Sequence, residues 1–328
     1  MIYLESPSVE PSFNLALEEY AFHNLDREEE YFMLWQNRPA VIIGKHQNAR
    51  EEVNLPYVKE HGIPVIRRLS GGGAVYHDLG NLNFTFIVNG ESGELSMERF
   101  AEPLLLACRE FGIEAGIEGR NDVTVHGRKF SGNAGYQEDG RTMHHGTIMI
   151  GVDKKVMGEA LRFSGDKIIS KSVKSVSSRV VNLSECTGVP ITVCSFASVL
   201  KEKVFGTADP EKYCWTETDL TKVRKLEKER YGTWEWNYGS FPSYELIKIK
   251  HVEGCGSVRV EMRALGGKIE VISIRGDFLG SRPVEELEEF LKGCRLTEKA
   301  VREKLSETDL GQYLYGMPVE TFVEILCG

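Results

Sequence analysis

A run of glycines flanked by charged and aromatic residues is the part of this sequence best suited to chemistry. Residues 67–78 read Arg-Arg-Leu-Ser-Gly-Gly-Gly-Ala-Val-Tyr-His-Asp. Glycine has no Cβ, so its backbone can adopt positive φ and lie against a ligand, and consecutive amide N–H groups can converge on an anion. The guanidinium groups of Arg67 and Arg68 suit a phosphate or a carboxylate. The segment therefore predicts an anion-binding loop, which we call the glycine loop.

The sequence around the glycine loop places it between two strands. Residues 61–66 form a short apolar run, and residues 83–88 alternate between polar and apolar side chains. An ordinary connection with solvated arginines is the alternative interpretation. The loop is not a P-loop, because no Gly-Lys-Ser/Thr follows, and it is not a dinucleotide fingerprint, because Tyr76 stands at the third glycine position. A nucleotide would have to bind here in another way.

Further along the chain, Lys129 follows a predicted turn and precedes Phe-Ser-Gly at residues 130–132, where small side chains leave room for a ligand. A lysine taken at random is usually a solvated surface charge.

Asn121 and Asp122 begin a predicted strand, where their oxygens could hold Mg²⁺ between phosphates. An Asx turn that caps the strand is an equally good interpretation.

Histidines offer weaker signals. His77, beside Asp78, could orient a substrate, although a histidine satisfied by a nearby backbone group is the more common case. His144 and His145 are neighbours on a predicted strand, so their side chains point to opposite faces. They cannot form a two-histidine metal site with each other.

Length and composition limit the class of protein. A chain of 328 residues with 41% hydrophobic residues predicts two folded domains. The net charge of −9 without a basic block argues against binding to nucleic acid. Seven scattered cysteines without a Cys-x-x-Cys motif predict reduced thiols in a cytoplasmic protein. With no leader and no apolar run of about 20 residues, we expect neither secretion nor a membrane partner.

Hydrophobic periodicity divides the chain near residue 240. In residues 1–240 it predicts an edge strand at residues 1–4, a helix capped by Ser12, and a hairpin of strands 31–35 and 40–44. A later helix is predicted to begin at Ser96 and to contain Pro103. Residues 241–328 predict an antiparallel three-strand meander followed by helices, a small α+β accessory domain.

Several segments together make the sequence similar to the lipoate–protein ligases, in the large form that carries a C-terminal accessory domain. The resemblance rests on the glycine loop and on five further segments: residues 119–122, 128–132, 144–147, 175–180 and 234–239. It implies an α+β fold in which a catalytic domain like that of biotin and lipoyl ligases has a mixed or antiparallel central sheet flanked by helices.

The resemblance also implies a reaction. ATP and lipoate (or octanoate) would form an acyl adenylate and pyrophosphate with the help of Mg²⁺. The acyl group would then pass to a lysine of an acceptor, either the lipoyl domain of a 2-oxoacid dehydrogenase E2 subunit or the H protein of glycine cleavage.

By the same resemblance, Lys129 would contact both the lipoate carboxyl group and the α-phosphate. The residues implied in ATP binding are Arg68, Gly73, Ala74, Val75, Tyr76 and Lys129. Those implied in lipoate binding are Lys129, Arg68, Ser70, Gly71, Gly72 and His77. A loop with Lys171, Ser178 and Arg179 would close over the adenylate.

Two other functions share the implied fold. A lipoyl or octanoyl transferase uses an already activated donor and in some members a cysteine acyl carrier, but the seven cysteines lie outside the glycine, lysine and double-histidine motifs. A catalytically silent lipoate-binding or regulatory paralogue is the other alternative, and the presence of Arg68, the three glycines and Lys129 argues against it.

Overall fold

The computed structural model describes residues 1–90, 97–119, 121–162, 179–207, 209–238, 246–265 and 267–327. The strands, in chain order, are β1 (Ile2–Glu5), β2 (Tyr31–Trp35), β3 (Ala40–Ile43), β4 (Val65–Arg67), β5 (Val75–His77), β6 (Asn81–Asn89), β7 (Gly116–Glu118), β8 (Asp122–Val125), β9 (Arg128–Glu138), β10 (Arg141–Met149), β11 (Leu246–Val252), β12 (Gly256–Leu265) and β13 (Lys268–Gly276). The α-helices are Pro11–Asn24, Ala49–Glu52, Leu55–Glu60, Met97–Glu110, Lys154–Ala160, Val193–Phe205, Glu217–Leu226, Trp234–Asn237, Val284–Leu291, Glu298–Leu305 and Val319–Cys327.

A mixed sheet of seven strands forms the centre of the N-terminal part, in the order β1-β2-β6-β10-β9-β8-β7. The pair β1 and β2 is parallel, whereas the other pairs are antiparallel. The predicted edge strand at the N-terminus and the mixed central sheet are confirmed.

Side-chain alternation along β6 gives the central sheet two covered faces. Phe86 packs on Phe100 of the helix Met97–Glu110, with ring centroids 5.5 Å apart. On the other face, Thr85 donates a hydrogen bond to Glu18 of the helix Pro11–Asn24 at 2.7 Å. Successive residues of a strand point to opposite faces, so the sheet is buried between helices.

The predicted hairpin of residues 31–35 and 40–44 is wrong. β2 lies between β1 and β6 in the central sheet, whereas β3 lies between β4 and β5 in a separate three-stranded sheet. Each strand therefore has both edges satisfied by other partners. The periodicity of the two segments correctly predicts two strands, but it does not encode which strands pair.

The prediction that Ser12 caps the first helix is also wrong. The helix begins at Pro11, a residue suited to the first turn because it has no N–H to satisfy. Ser12 lies inside the helix, where its hydroxyl donates to Glu227 Oε1 at 2.7 Å. Pro103 lies within the helix Met97–Glu110, as expected, and Ser96 lies outside the described residues.

The C-terminal part has its own core. Strands β11, β12 and β13 form the predicted antiparallel meander, and helices cover one face of it. It contacts the N-terminal part beside the glycine loop: the Phe278 ring stacks on His46 with centroids 5.0 Å apart, and Arg259 pairs with Glu51 at 2.8 Å. The α+β fold class is confirmed.

The seven cysteines are free thiols. No helix in the described ranges has both the length and the apolar character that crossing a membrane requires.

Candidate active site

Lys129 lies near the start of β9, next to β8. Its Nζ is 2.8 Å from Asp122 Oδ1, and its side chain is 35% exposed. The side chain crosses Gly132, where an added Cβ would lie 2.8 Å from both Lys129 Cε and Nζ. Glycine at position 132 therefore makes room for the lysine above the sheet.

A cavity of about 80 Å³ separates Lys129 from the glycine loop. Its mostly apolar lining comes from the first helix, from strands of both sheets and from the loop. The lining residues are Leu15, Trp35, Ile42, Arg68, Gly73, Ala74, Val75, His77, Asn83, Asn121, Lys129, Gly132, Asn133, Ala134, His145, Gly146 and Thr147. The structure thus brings Lys129 and the loop to one site.

A wider and more polar cleft of about 930 Å³ lies next to this inner cavity. Residues of the C-terminal part, among them His251 and Glu253, line its far side. Gly73, Asn121 and Lys129 line both spaces. These three residues therefore stand where the inner cavity meets the outer cleft.

The Arg68 guanidinium is buried and holds the glycine loop in shape. Its Nε donates to Ser70 Oγ at 3.0 Å, and its Nη2 donates to the carbonyl oxygens of Gly71 and Gly73 at 2.5 and 2.9 Å. Burial lowers the pKa of Arg68 to about 10, so the group remains a cation at neutral pH. Arg68 lines the inner cavity, but in this structure most of its donors serve the loop.

The two halves of the glycine loop face different surroundings. Gly72 has φ +85°, and its amide donates to the Phe278 carbonyl oxygen at 3.2 Å. Ser70 and Gly71 also lie on this side, away from the inner cavity, whereas Gly73, Ala74 and Val75 line it. The Tyr76 side chain points into the hydrophobic core.

Arg67, expected from its motif to suit an anion, is used inside the protein. Its guanidinium donates to the carbonyl oxygens of Gly44, Lys45, Gln47, Trp236 and Asn237 at 2.6–3.0 Å. Because these donors are committed to backbone oxygens, Arg67 does not face the cavity. The suggestion that both arginines of the motif face an anion is wrong for Arg67.

Two buried donors at the inner cavity have no partner among the described residues: His77 Nε2 and Asn83 Nδ2. Asn14 Nδ2 donates to Asn37 Oδ1, so the Asn37 amide nitrogen faces His77 Nδ1 at 3.0 Å. His77 therefore accepts at Nδ1 and carries its proton on Nε2. Burial, together with Arg68, lowers the pKa of His77 to about 3, so it is neutral.

Asn121 and Asp122, the predicted Mg²⁺ ligands, lie at the mouth of the outer cleft. The Asn121 side-chain amide donates to the Asn133 carbonyl oxygen at 2.7 Å, and Asp122 pairs with Lys129. No cluster of three or more acidic, histidine or cysteine side chains suited to a metal is found in the described ranges. One carboxylate beside a cleft fits a cation carried in by phosphates, since Mg²⁺ commonly takes one or two carboxylates plus phosphate oxygens.

The double-histidine motif separates as expected. His144 stacks on Phe100 with centroids 4.4 Å apart, on the far face of the sheet from the cavity. His145 lines the cavity, and its Nδ1 is 2.9 Å from Glu18 Oε1.

Several residues at the site carry no sequence motif, notably Trp35, Asn83 and Thr147 in the cavity wall and Glu18 behind His145. Trp35, Asn83 and Thr147 lie in one row across β2, β6 and β10. Polar residues at positions 81, 83 and 85, which share one face of the buried strand β6, are the available signal in the sequence.

The predicted adenylate loop is described only at its end. Lys171 and Ser178 lie outside the described residues, and Arg179 is exposed. Just beyond it, the Val181 amide donates to the Lys129 carbonyl oxygen at 2.9 Å. The chain that follows the predicted loop therefore returns to the strand that bears Lys129.

Two family models match the chain. The lipoyl protein ligase A/B catalytic domain matches residues 10–205, and the bacterial lipoate protein ligase C-terminus matches residues 241–326.

Similar proteins and structures agree with these matches. The chain is 41% identical to lipoate-protein ligase LplJ of Bacillus subtilis, over 99% of this chain and 100% of that protein. It is also 41% identical to lipoate–protein ligase 1 of Staphylococcus aureus, over 93% of each. The structure of P. falciparum LipL1 in complex with lipoate has a TM-score of 0.81 at 27% identity, covering 99% of this chain and 98% of that one. A lipoate-protein ligase A bound with ATP has a TM-score of 0.62 at 26% identity, covering 73% and 97%. The chain therefore belongs to the lipoate–protein ligase family.

Proposed function

We propose that this protein joins lipoate to ATP, forming lipoyl-AMP and pyrophosphate, and then transfers the lipoyl group to a lysine of an acceptor protein. The observation that carries this proposal is the meeting of two spaces at Gly73 and Lys129. The apolar inner cavity suits an acyl chain, and the polar outer cleft suits a nucleotide. The bond between the acid and the α-phosphate would form at their boundary.

Lys129 is the residue that this chemistry needs most. Attack of a carboxylate on a phosphate brings two anions together, and negative charge builds on the phosphorus oxygens. A fixed ammonium beside both groups reduces that repulsion and stabilises the transition state. Lys129 would exchange its contact with Asp122 for contacts with the carboxyl group and the α-phosphate.

The cavity wall would supply the remaining contacts of the acid. The unpartnered donors His77 Nε2 and Asn83 Nδ2 would bind oxygen atoms of the substrate, because a buried donor left unsatisfied is costly. Trp35, Leu15 and Ile42 would pack on the acyl chain. Three of the residues that the resemblance implies in lipoate binding, Ser70, Gly71 and Gly72, would not contact the acid. They would instead fix the conformation of the glycine loop.

For ATP, we propose contacts with the backbone of the half-loop that lines the cavity, from Gly73 to Val75, and with Arg68 if part of its fork turns from the loop carbonyls to phosphate. Tyr76 would contribute its backbone only. Asp122 and Asn121 would hold Mg²⁺ on the phosphates, where the ion would neutralise charge.

In the second half-reaction, the ε-amine of an acceptor lysine would attack the acyl carbonyl carbon, and AMP would leave. The outer cleft, with a volume of about 930 Å³, has room for such a side chain. Lipoyl domains of 2-oxoacid dehydrogenase E2 subunits and the glycine cleavage H protein are the proposed acceptors, and octanoate is an alternative acid. A bi-partite lipoate protein ligase of Thermoplasma acidophilum, studied with its E2 lipoyl domain, has a TM-score of 0.66 at 29% identity.

We also propose that residues 1–240 form the catalytic domain and residues 241–328 the accessory domain, and that the protein works in the cytoplasm. The family-model ranges and the separate C-terminal core support the division.

Exchange of labelled pyrophosphate into ATP tests the proposal, with lipoate, octanoate or biotin supplied as the acid. A ligase exchanges label in the presence of lipoate, whereas a transferase that needs an activated donor, or a silent paralogue, does not. No cysteine lines either space in the described part of the chain, which disfavours a cysteine acyl carrier. Absence of exchange with lipoate and octanoate would refute the proposal.

A further inference from the structure

We propose that Glu18 and His145 are positioning residues, which act through Ser70 to fix the Arg68 guanidinium and with it the Gly73 end of the glycine loop. This inference rests on the proposed function. Neither residue reaches the loop carbonyls. Their effect would pass along a chain of buried side chains.

The chain of contacts is continuous. Glu18 Oε1 lies 2.9 Å from His145 Nδ1, His145 Nε2 lies 2.6 Å from Ser70 Oγ, and Arg68 Nε donates to Ser70 Oγ at 3.0 Å. All four side chains are buried, with at most 8% of each residue exposed. Little water can therefore replace a lost contact.

The position of each hydrogen in this chain of contacts follows from the groups that can act in only one way, as donor or as acceptor. The Glu18 carboxylate accepts hydrogen bonds, so His145 Nδ1–H donates to it. In a neutral imidazole Nε2 then accepts from the Ser70 hydroxyl, whose oxygen accepts the Arg68 Nε–H. An acidic side chain behind an imidazole selects the tautomer in the same way in serine hydrolases.

A second donor holds Glu18 itself. Trp35 Nε1 donates to Thr85 Oγ1 at 3.0 Å, so the Thr85 hydroxyl is free to donate to Glu18 Oε1 at 2.7 Å. Glu18 thus accepts from both His145 and Thr85, and its position is fixed from two sides.

The charges of Glu18 and Arg68 support the same role for Glu18. Arg68 has no carboxylate at ion-pair distance within the described ranges, yet its guanidinium is buried. Burial lowers the pKa of Arg68 to about 10, and the Glu18 carboxylate opposes that shift. Glu18 is therefore a buried negative charge near Arg68, and its field favours the guanidinium cation.

The consequence for the reaction is geometric. Arg68 Nη2 binds the Gly71 and Gly73 carbonyl oxygens, and Gly73 lies at the boundary where the acid and the nucleotide would meet. A displacement of about 1 Å at such a position can reduce a rate by up to roughly a hundredfold.

The neighbouring residue Glu19 provides a matched control. It lies on the same helix and is 5% exposed, against 2% for Glu18. Its carboxylate faces away from this chain of contacts and binds Arg230 and the Tyr231 hydroxyl. Glu19→Gln changes a buried carboxylate without touching Ser70 or Arg68.

The experiment measures kcat and KM for lipoate-dependent pyrophosphate exchange, with thermal unfolding as a check on folding. The variants are Glu18→Ala, Glu18→Gln, Ser70→Ala, Glu19→Gln and the double variants that combine each of the three glutamate substitutions with Ser70→Ala. We expect Glu18→Ala to lower kcat/KM by about tenfold to a hundredfold. Glu18→Gln should lose less, since its amide oxygen still accepts from His145.

The double variants give a readout that a general loss of stability would not change. If Glu18 acts through Ser70, adding Glu18→Ala to Ser70→Ala costs no more than about threefold, because the link is already broken. Adding Glu19→Gln to Ser70→Ala should instead multiply the two separate effects.

If the parent shows exchange, independent effects of Glu18→Ala and Ser70→Ala, or a Glu18→Ala variant that exchanges as well as Glu19→Gln, would overturn the positioning role. If Glu18→Ala does not fold, Glu18→Gln carries the same comparison. A parent that shows no lipoate-dependent exchange would instead refute the proposed function, and this role with it.

Discussion

Arg67 and Arg68 are neighbours in the sequence and serve two different regions of the molecule. Arg67 ends β4 and binds five backbone carbonyl oxygens from residues 44–47 and 236–237. Arg68 turns the other way, holds the glycine loop and lines the inner cavity. One region joins distant segments of the chain, and the other shapes the proposed site.

The difference shows that a motif mixes structural and ligand-directed residues. Alternation along an extended chain sends adjacent side chains to opposite sides. Two guanidiniums in one motif therefore need not bind one anion. Their partners decide their roles, and substitutions should separate these roles into effects on activity and effects on stability.

Lys129→Ala should have the largest effect, in the region of Arg68. We expect lipoate-dependent pyrophosphate exchange to fall by roughly two to three orders of magnitude, because the ammonium that stabilises the transition state is lost. Lys212→Ala, which removes a lysine 56% exposed at the surface, is the control. Exchange by Lys129→Ala within a few-fold of the parent would remove Lys129 from the mechanism.

Arg67→Met should act on stability. It leaves five backbone carbonyl oxygens without their donor, and we expect the free energy of unfolding in urea to fall by about 3 kcal/mol. Exchange per folded molecule should stay within a few-fold of the parent. A stable variant that had lost exchange would mean that Arg67 serves the site after all.

Arg68→Met should instead act mainly on activity. Without the guanidinium, the Gly71 and Gly73 carbonyl oxygens lose their donor and the loop relaxes, so exchange should fall by roughly a hundredfold. Arg68→Lys should recover only part of the lost exchange, because one ammonium group cannot reproduce the several N–H donors of a guanidinium. If Arg67→Met and Arg68→Met proved equally harmful to exchange, the division of roles would be wrong.

Acidic pH should lower the free energy of unfolding, because buried histidines lie near both arginines. Burial lowers the pKa of His46, His77 and His144 to about 3, against about 6.5 in the unfolded chain. As pH falls below 6.5 the unfolded state takes up protons and the folded state does not, so stability is lost, by about 2 kcal/mol per histidine between pH 7.5 and pH 5. Urea unfolding at both pH values measures this loss, and His144→Gln should reduce it. Equal stability at the two pH values would contradict the burial of these groups as neutral imidazoles.

The smallest effect is expected at Gly132. In Gly132→Ala the new Cβ meets Lys129 Cε and Nζ, so the flexible lysine must shift, and we expect roughly a tenfold loss of exchange. Gly116→Ala is the matched control, because that strand glycine has nothing within 4 Å of the added Cβ. Equal effects of the two substitutions would mean that Gly132 has no special role toward Lys129.

Local patterns in the sequence predicted much of the fold. The alternation in residues 83–88 and the glycine turns of residues 241–328 identified strands, because both are local consequences of burial and backbone geometry. The partners of β2 and β3 could not be read, since pairing depends on contacts between segments far apart in the chain.

The residues of the candidate site fall into the same two groups, those that local sequence predicts and those that depend on contacts between distant segments. Gly73 could be proposed because a run of glycines exposes backbone amides to a ligand, whereas Lys129 could be proposed only because its motif resembles that of the lipoate–protein ligases. Glu18 belongs to no motif. Its relation to His145 spans 127 positions of the chain and arises only when the first helix packs on the central sheet.

A crystal structure with a non-hydrolysable lipoyl-adenylate analogue would test most directly whether the acid and the nucleotide meet between the glycine loop and Lys129. We expect the acyl chain beside Trp35 in the inner cavity, the nucleotide in the outer cleft, and Lys129 Nζ within hydrogen-bond distance of the group that replaces the phosphate. An analogue bound elsewhere, with Lys129 still paired only to Asp122, would contradict the proposed site.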